Sequence, residues 1–193
     1  MSTVTAFFTH VLGPDAALIP KTEEIAEQYH EVLIANRERL ARWEPWAREE
    51  LTPQSTREFI GLEGRDWLAG GRLPVVLAVA APEGRWEPAG SLSLRINQEL
   101  ASGELGYWIA EQYEGRGLVR RAAEVMLDQA FGPFGLGRVQ LSIEVGNARS
   151  RGLAERLGFT QEGVIRQSIV FPEERRDKVV YGMLPEEWRA RRG

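Results

Sequence analysis

Cysteine is absent from this chain of 193 residues, which excludes disulfides, thiolate metal sites and a cysteine nucleophile. Histidine is nearly absent: His10 and His30 stand alone, without partners at metal-ligand spacing, so no metal site is expected. No apolar run reaches membrane length and no basic-then-apolar leader follows Met1, which reads as a cytoplasmic protein that does not engage a membrane. An excess of positive charge is also missing. The 24 Lys and Arg against 28 Asp and Glu leave a net charge of -4, so direct nucleic-acid binding is not expected and a cationic partner is the easier one to accommodate. Internal repeats, linkers and low-complexity stretches are lacking as well. With 43% hydrophobic residues, the length suits one domain spanning 1–193 with a sizeable core.

What the chain does have is a strand pattern that becomes a helix pattern through two closely spaced glycines, between Glu104 and Phe131. Leu105, Tyr107 and Ile109 alternate with Glu104, Gly106, Trp108 and Ala110, the period of a strand. From Gly117 onward Val119, Ala122, Ala123, Met126, Leu127 and Ala130 form one apolar stripe, with Arg120, Arg121, Glu124 and Asp128 opposite. Between the two, Gly115 and Gly117 let backbone approach a ligand closely, and the free amides of the helix's first turn point into the same space. That arrangement suits a pyrophosphate, and equally a plain tight turn. A nucleoside-triphosphate loop needs Gly-Lys-Ser/Thr, which does not occur, and a dinucleotide fingerprint needs a small residue where Arg120 stands.

In chain order, residues 4–12 carry apolar pieces around Phe7 and Phe8 that read as a first strand or a loose lead-in before Gly13-Pro14. Thr22 is the expected N-cap of a helix bearing Ile25, Tyr29, Val32, Leu33 and Leu40, which Pro45 ends near Trp43. Thr52-Pro53 opens a second helix with Phe59, Ile60 and Leu62 turned inward. Strands are expected at 75–80 and 90–96, joined by a Pro82-Glu83-Gly84 turn, and with 104–110 they make an antiparallel meander. A strand at 138–145 leads to Asn147, the cap of a helix with Ser150, Leu153, Ala154 and Leu157 on one face, closed by Gly158. Two strands at 159–171 and 178–184 and a short helix from Pro185 complete an α/β (α+β) domain, in which helices flank a mixed, mostly antiparallel sheet.

Several of these stretches resemble the GNAT superfamily of N-acetyltransferases, and its RimJ/RimL-like branch most closely. Gln112–Gly117 is similar to the family's Q/R-x-x-G-x-G/A pyrophosphate loop, and Asn147–Gly163 to its N-x-x-S-x-x-(L/V)-x-E-(R/K)-L-G-F-x-x-E-G block. Asn36–Trp46 resembles N-R-x-x-L-x-x-W-x-P-W, Glu104–Trp108 resembles E-x-G-Y-W, and Asp177–Tyr181 resembles D-x-V-x-Y. The resemblance implies acetyl-CoA as cosubstrate, held by Trp108, Ile109, Ala110, Gln112, Gly115, Arg116, Gly117, Leu118, Val119, Arg120, Asn147 and Ser150. It further implies direct transfer of an acetyl group to a primary amine, first of all a protein or peptide N-terminal α-amine of the ribosomal-protein type, and it is compatible with a homodimer. The alternatives are a small-molecule acceptor (polyamine, amino acid or aminoglycoside) and a catalytically silent acyl-CoA sensor.

The chemistry asks for a polarised thioester carbonyl, a neutral amine and a proton for the departing sulfur. A strand amide near Trp108 to Ala110 can polarise the carbonyl. Deprotonating an α-amine costs only about 1 kcal/mol at pH 7, against nearly 5 for a lysine, roughly speaking, so the strength of base required depends on the acceptor. Glu104 is the candidate base through water, or else simply the partner of an arginine. Ser150, which the resemblance brings near the sulfur, is the candidate proton donor, or else a helix serine bonding backbone. Tyr29, Trp43, Trp46 and Trp108 line an acceptor mouth or pack in a core.

Overall fold

Among the described residues, alternating and continuous apolar runs produce eight strands: β1 His10–Gly13, β2 Ala16–Pro20, β3 Arg72–Ala80, β4 Trp86–Asn97, β5 Ser102–Ile109, β6 Arg138–Glu144, β7 Thr160–Val170 and β8 Arg175–Met183. They form one sheet in the order β1-β2-β3-β4-β5-β6-β8-β7, antiparallel throughout except for the parallel β5–β6 pair. The computed structural model describes residues 9–81 and 85–193, so the pieces around Phe7 and Phe8 and the Pro82-Glu83-Gly84 turn lie outside the described residues. Five α-helices are described: α1 Ala26–Leu40, α2 Pro53–Leu68, α3 Leu118–Phe131, α4 Ala148–Leu157 and α5 Pro185–Arg192.

Strand β3 shows how the sheet divides the molecule. Val75, Leu77 and Val79 face a large core shared with α3 and α4, while Val76 between them faces a smaller one shared with α1 and α2. The stripe read on α3 is buried at Ala122, Ala123, Met126, Leu127 and Ala130, and Leu118 and Val125 join it. Burial on both faces explains the run LPVVLAV, which does not alternate.

Four expectations are corrected. Strand β2 was not anticipated: Ala16, Ala17 and Leu18 are all buried, so the segment pairs with β3 without an alternating pattern to announce it. Thr22 makes no side-chain capping bond, and α1 is entered through a 3-10 turn at Glu23–Ile25. On α2, Phe59 and Leu62 are 49% and 54% exposed, and the inward face is Thr56, Ile60 and Glu63. Strand β8 begins at Arg175, because the hairpin closes tightly through Phe171 N–H to the Glu174 carbonyl at 2.8 Å. The Thr52 cap does form, as a reciprocal pair with Ser55 at 3.0 and 2.9 Å.

Candidate active site

The parallel pair at the centre of the sheet is short. Ser102, Gly103 and Glu104 pair with Arg138, Val139 and Gln140, and the ladder stops there although both strands continue. Beyond Glu104 the strands part, leaving a slit between Leu105–Ile109 and Leu141–Glu144. The backbone inside it follows from antiparallel alternation: Ala110 N–H donates to Ala89 of the β4 side at 2.7 Å, so alternate residues of β5 point their amides the other way. The amides of Tyr107 and Ile109 therefore face the slit, whereas those of Trp108 and Ala110 serve β4. Within the expected Trp108 to Ala110 stretch, Ile109 carries the free donor.

Past Ile109 the chain makes a 3-10 turn, Glu111–Tyr113, that contains Gln112, and then the glycine loop. Gly115 at φ 75° and Gly117 at φ 69° occupy the left-handed region, which a side chain would strain, and a Cβ at either would meet nothing within 4 Å. Gly117 is the N-cap of α3 and brings no capping side chain, so the first-turn amides of Leu118, Val119 and Arg120 remain open toward that space. Such a cradle fits an anionic group like pyrophosphate. Of the arginines expected there, Arg116 bonds Asp15 Oδ2 at 2.8 Å and Arg120 bonds Glu124 Oε1 at 3.0 Å. The Arg116 guanidinium, with Arg121 beside it, holds the Asp15 carboxyl below its ordinary range.

Across the slit, Asn147 caps α4 by accepting from the Ser150 amide at 3.1 Å. The Ser150 hydroxyl lies 2.7 Å from the Tyr107 hydroxyl. Burial pushes the Tyr107 phenol up to about 12, outweighing the Ser150 hydrogen bond, so Tyr107 keeps its proton across the neutral range. Tyr107 was not singled out from the sequence. Its place on the inward side of β5, the side α4 covers, was the available signal, but its partner lies 43 residues away.

On the other face of the sheet, a cleft of about 520 Å³ is lined by Tyr29, Trp46, Phe59, Tyr107 and Trp108 together with Glu44, Lys21 and Glu63. Trp108 meets Tyr29 edge to face at 5.6 Å and donates to its hydroxyl at 3.1 Å. Trp43 is not part of this cleft and lies near Gly146 at the end of β6. Lys21, 3% exposed, pairs with Glu63 at 2.8 Å, sits 4.5 Å from the Tyr29 ring centre and donates to Ser91 at 3.3 Å. Arg72 closes the network on Glu63 and Ser93 at 3.1 and 3.2 Å. Glu104 forms an ion pair with its cross-strand neighbour Arg95 at 3.1 Å, where β5 and β6 are still joined, and it does not line the cleft. Glu44 does: it accepts from Trp46 Nε1 at 3.1 Å, and desolvation in the cleft raises its carboxyl above the ordinary range. No local pattern marks Glu44 in the sequence, because the 3-10 turn that starts at Pro45 is what sets it beside Trp46.

The site thus combines a slit between parted strands, a glycine cradle at one end and paired hydroxyls beside it, and the chain's likeness to known proteins supplies the family. The description of an acetyltransferase (GNAT) domain matches residues 17–160. Over 175 residues the chain is 31% identical to YdaF of Bacillus subtilis (strain 168), described as a candidate ribosomal N-acetyltransferase, covering 84% of this chain and 87% of that one. A crystal structure of a probable acetyltransferase superposes with a TM-score of 0.85 at 30% identity, covering 94% and 99% of the two chains. RimL, a ribosomal-protein alpha-N-acetyltransferase in complex with coenzyme A, shares the fold with a TM-score of 0.85 at 19% identity, over 92% and 98%. The chain belongs to the GNAT acetyltransferase family. It is an enzyme of that family.

Proposed function

We propose that this enzyme acetylates a primary amine with acetyl-CoA, and that the acceptor is the N-terminal α-amine of a protein or peptide; RimL is named as an alpha-N-protein acetyltransferase and YdaF as a candidate ribosomal N-acetyltransferase. The observation that carries the reading is Tyr107, which lines the cleft on one face of the sheet and reaches the Ser150 hydroxyl at 2.7 Å on the other. Acetyl-CoA supplies the acetyl group as an activated thioester. The chain's own parts then divide the work. The amides of Leu118, Val119 and Arg120, with Gly115 and Gly117, receive the pyrophosphate. The Ile109 amide, turned into the slit, would donate to the thioester carbonyl oxygen and stabilise charge that develops on it. Ser150 Oγ would give its proton to the departing sulfur and take one from the Tyr107 hydroxyl, which is protonated at working pH, and the second proton that the acceptor nitrogen loses on forming the amide would restore the phenol through solvent. A carboxylate takes the ammonium proton of the acceptor; Glu44 lines the cleft with a raised pKa, and Glu104 stands behind Arg95.

Thiol release from acetyl-CoA, measured over a panel of N-terminal peptides, polyamines, amino acids and aminoglycosides, tests this reading. Peptides should be the best acceptors; turnover confined to small amines, or coenzyme A binding with no turnover on any amine, would reject it. With an active acceptor, Glu44→Gln should lose activity most near neutral pH and recover as solvent deprotonates the amine, nearly completely by about pH 9 for an α-amine of pKa about 8. The same profile in Glu104→Gln, with Glu44→Gln flat, would transfer the base to Glu104.

A further inference from the structure

One turn of α1, Asn36–Arg39, takes no part in this chemistry, yet it is bonded to both walls of the site. Arg37 donates from Nε to the Ala47 carbonyl at 3.0 Å, and from Nη2 to the carbonyls of Arg48 and Glu49 at 3.1 and 2.7 Å. Those carbonyls belong to the 3-10 turn Pro45–Arg48 and its exit, and the same segment carries Glu44, Trp46 and Glu49 into the cleft. Arg39 works in the opposite direction. Its Nη1 bonds Glu114 Oε1 at 2.7 Å, next to Gly115, and its Nη2 bonds the carbonyl of Ile109. Asn36, 5% exposed, accepts the Glu111 amide at 2.8 Å through the oxygen that also receives Arg39 Nη2 at 3.4 Å. Side chains two positions apart on a helix point about 200° apart, which is why 37 and 39 serve different elements. The segments they hold have further side-chain anchors, among them Arg48 on the Ala41 carbonyl and Glu173, and Arg149 on Glu114. Neither 3-10 turn has a side-chain cap, and Gly115 and Gly117 have nothing packed where a Cβ would be.

We infer that this turn is a two-armed positioning device: Arg37 sets the acceptor rim, Arg39 with Asn36 sets the donor loop, and neither arm touches reacting atoms. Its kinetic half rests on the acetyl-transfer reading above; its structural half does not. A guanidinium fork spans three carbonyls, whereas an ammonium reaches only one region, so lysine is a poor substitute at 37.

The test pairs Arg37→Ala and Arg37→Lys with Arg39→Ala, each checked by thermal unfolding. Backbone hydrogen exchange should rise at 44–50 and not at 109–117 in the Arg37 variants, with the converse in Arg39→Ala. Coenzyme A affinity, read by calorimetry, should fall about tenfold in Arg39→Ala and stay within about twofold in the Arg37 variants. Acceptor KM should rise about tenfold in Arg37→Ala with kcat little changed, and Arg37→Lys should restore less than about half of that loss. Should Arg37→Ala fail to fold, Arg37→Lys carries the same comparison. Exchange that rises equally in both segments for either variant, or in neither, overturns the inference. An enzyme that acetylates nothing on the amine panel would reject the proposed function while leaving the exchange and coenzyme A measurements to decide this one.

Discussion

The two faces of the central sheet are built on different principles. On the α3–α4 side the core is apolar, from Ala16 and Leu18 across to Tyr181 and Trp188, and the groups turned toward the slit are main-chain amides and two hydroxyls. On the α1–α2 side the core is small, and all five of the buried polar residues among those described, Lys21, Asn36, Thr56, Glu63 and Ser91, lie there. A backbone cradle is indifferent to most side chains and can be shared by enzymes with different acceptors. A cleft walled by paired charges is specific, because each buried charge depends on a particular partner. On the proposed reading, the slit is the donor side and the generic half of the enzyme, and the α1–α2 cleft is the acceptor side and the individual half.

The largest expected break in that contrast is Glu63→Ala. Lys21 would be left buried without its counter-charge, at a cost of about 3–5 kcal/mol in unfolding free energy. Replacing the pair together, as Lys21→Met with Glu63→Leu, should cost much less than either single change if packing rather than charge sustains the α1–α2 side; denaturant midpoints of the three variants decide, and additive losses would contradict the coupling. On the donor side, Gly117→Val forces a β-branched residue into φ 69° and fills the open cradle. Coenzyme A affinity should drop by about 100-fold with stability falling far less, and calorimetry showing unchanged affinity would remove the loop from the site. Ser150→Ala should lower kcat about tenfold while coenzyme A affinity stays within about twofold; a lowered melting temperature with full turnover would make the serine structural.

The smallest effect is expected from Tyr107→Phe on stability. Unfolded, this phenol ionises near 10.0, and folded it holds its proton to about 12. Between those values the unfolded chain binds fewer protons, so the stability contributed is complete below pH 10 and is lost as pH climbs toward 12. The phenylalanine variant should show a shallower alkaline decline than the parent over that window. Parallel curves would place the phenol in contact with solvent.

The same contrast governs what was legible in the sequence. The donor side is a contiguous β5–α3–β6–α4 unit, and its periods, the glycines at 115 and 117 and the Asn147 cap are local signals, so sheet class, helix stripe and loop could all be read. The acceptor side is assembled from residues far apart in the chain. Lys21 meets Glu63, and Arg72 meets Ser93, only after folding. Apolar periodicity alone therefore turned Phe59 and Leu62 inward on α2, where Thr56 and Glu63 hold that face instead. Strand β2 escaped because burial on both faces erased its alternation. The Tyr107–Ser150 contact escaped for the opposite reason: each residue was in its expected place, and only the parting of β5 from β6 made them neighbours.

That parting also bears on how the chain assembles. β1–β2, β3–β4, β4–β5 and β7–β8 each join strands adjacent in sequence, so their contacts close short loops. Three seams close longer loops: β2–β3 and β6–β8 gain five and six residue pairs, whereas β5–β6, across all of α3, gains only three. Distant contacts with little reward form late. Two plates of sheet, β1 to β5 and β6-β8-β7, should thus be largely built before they are stitched together. Pulsed hydrogen exchange during refolding should protect the amides of the β3–β4 and β7–β8 hairpins before those that join β5 to β6, and the reverse order would reject this sequence of events. A chain arrested before the stitch would have nearly native secondary structure and no donor slit, so activity, rather than helix or strand content, would mark the final step of folding.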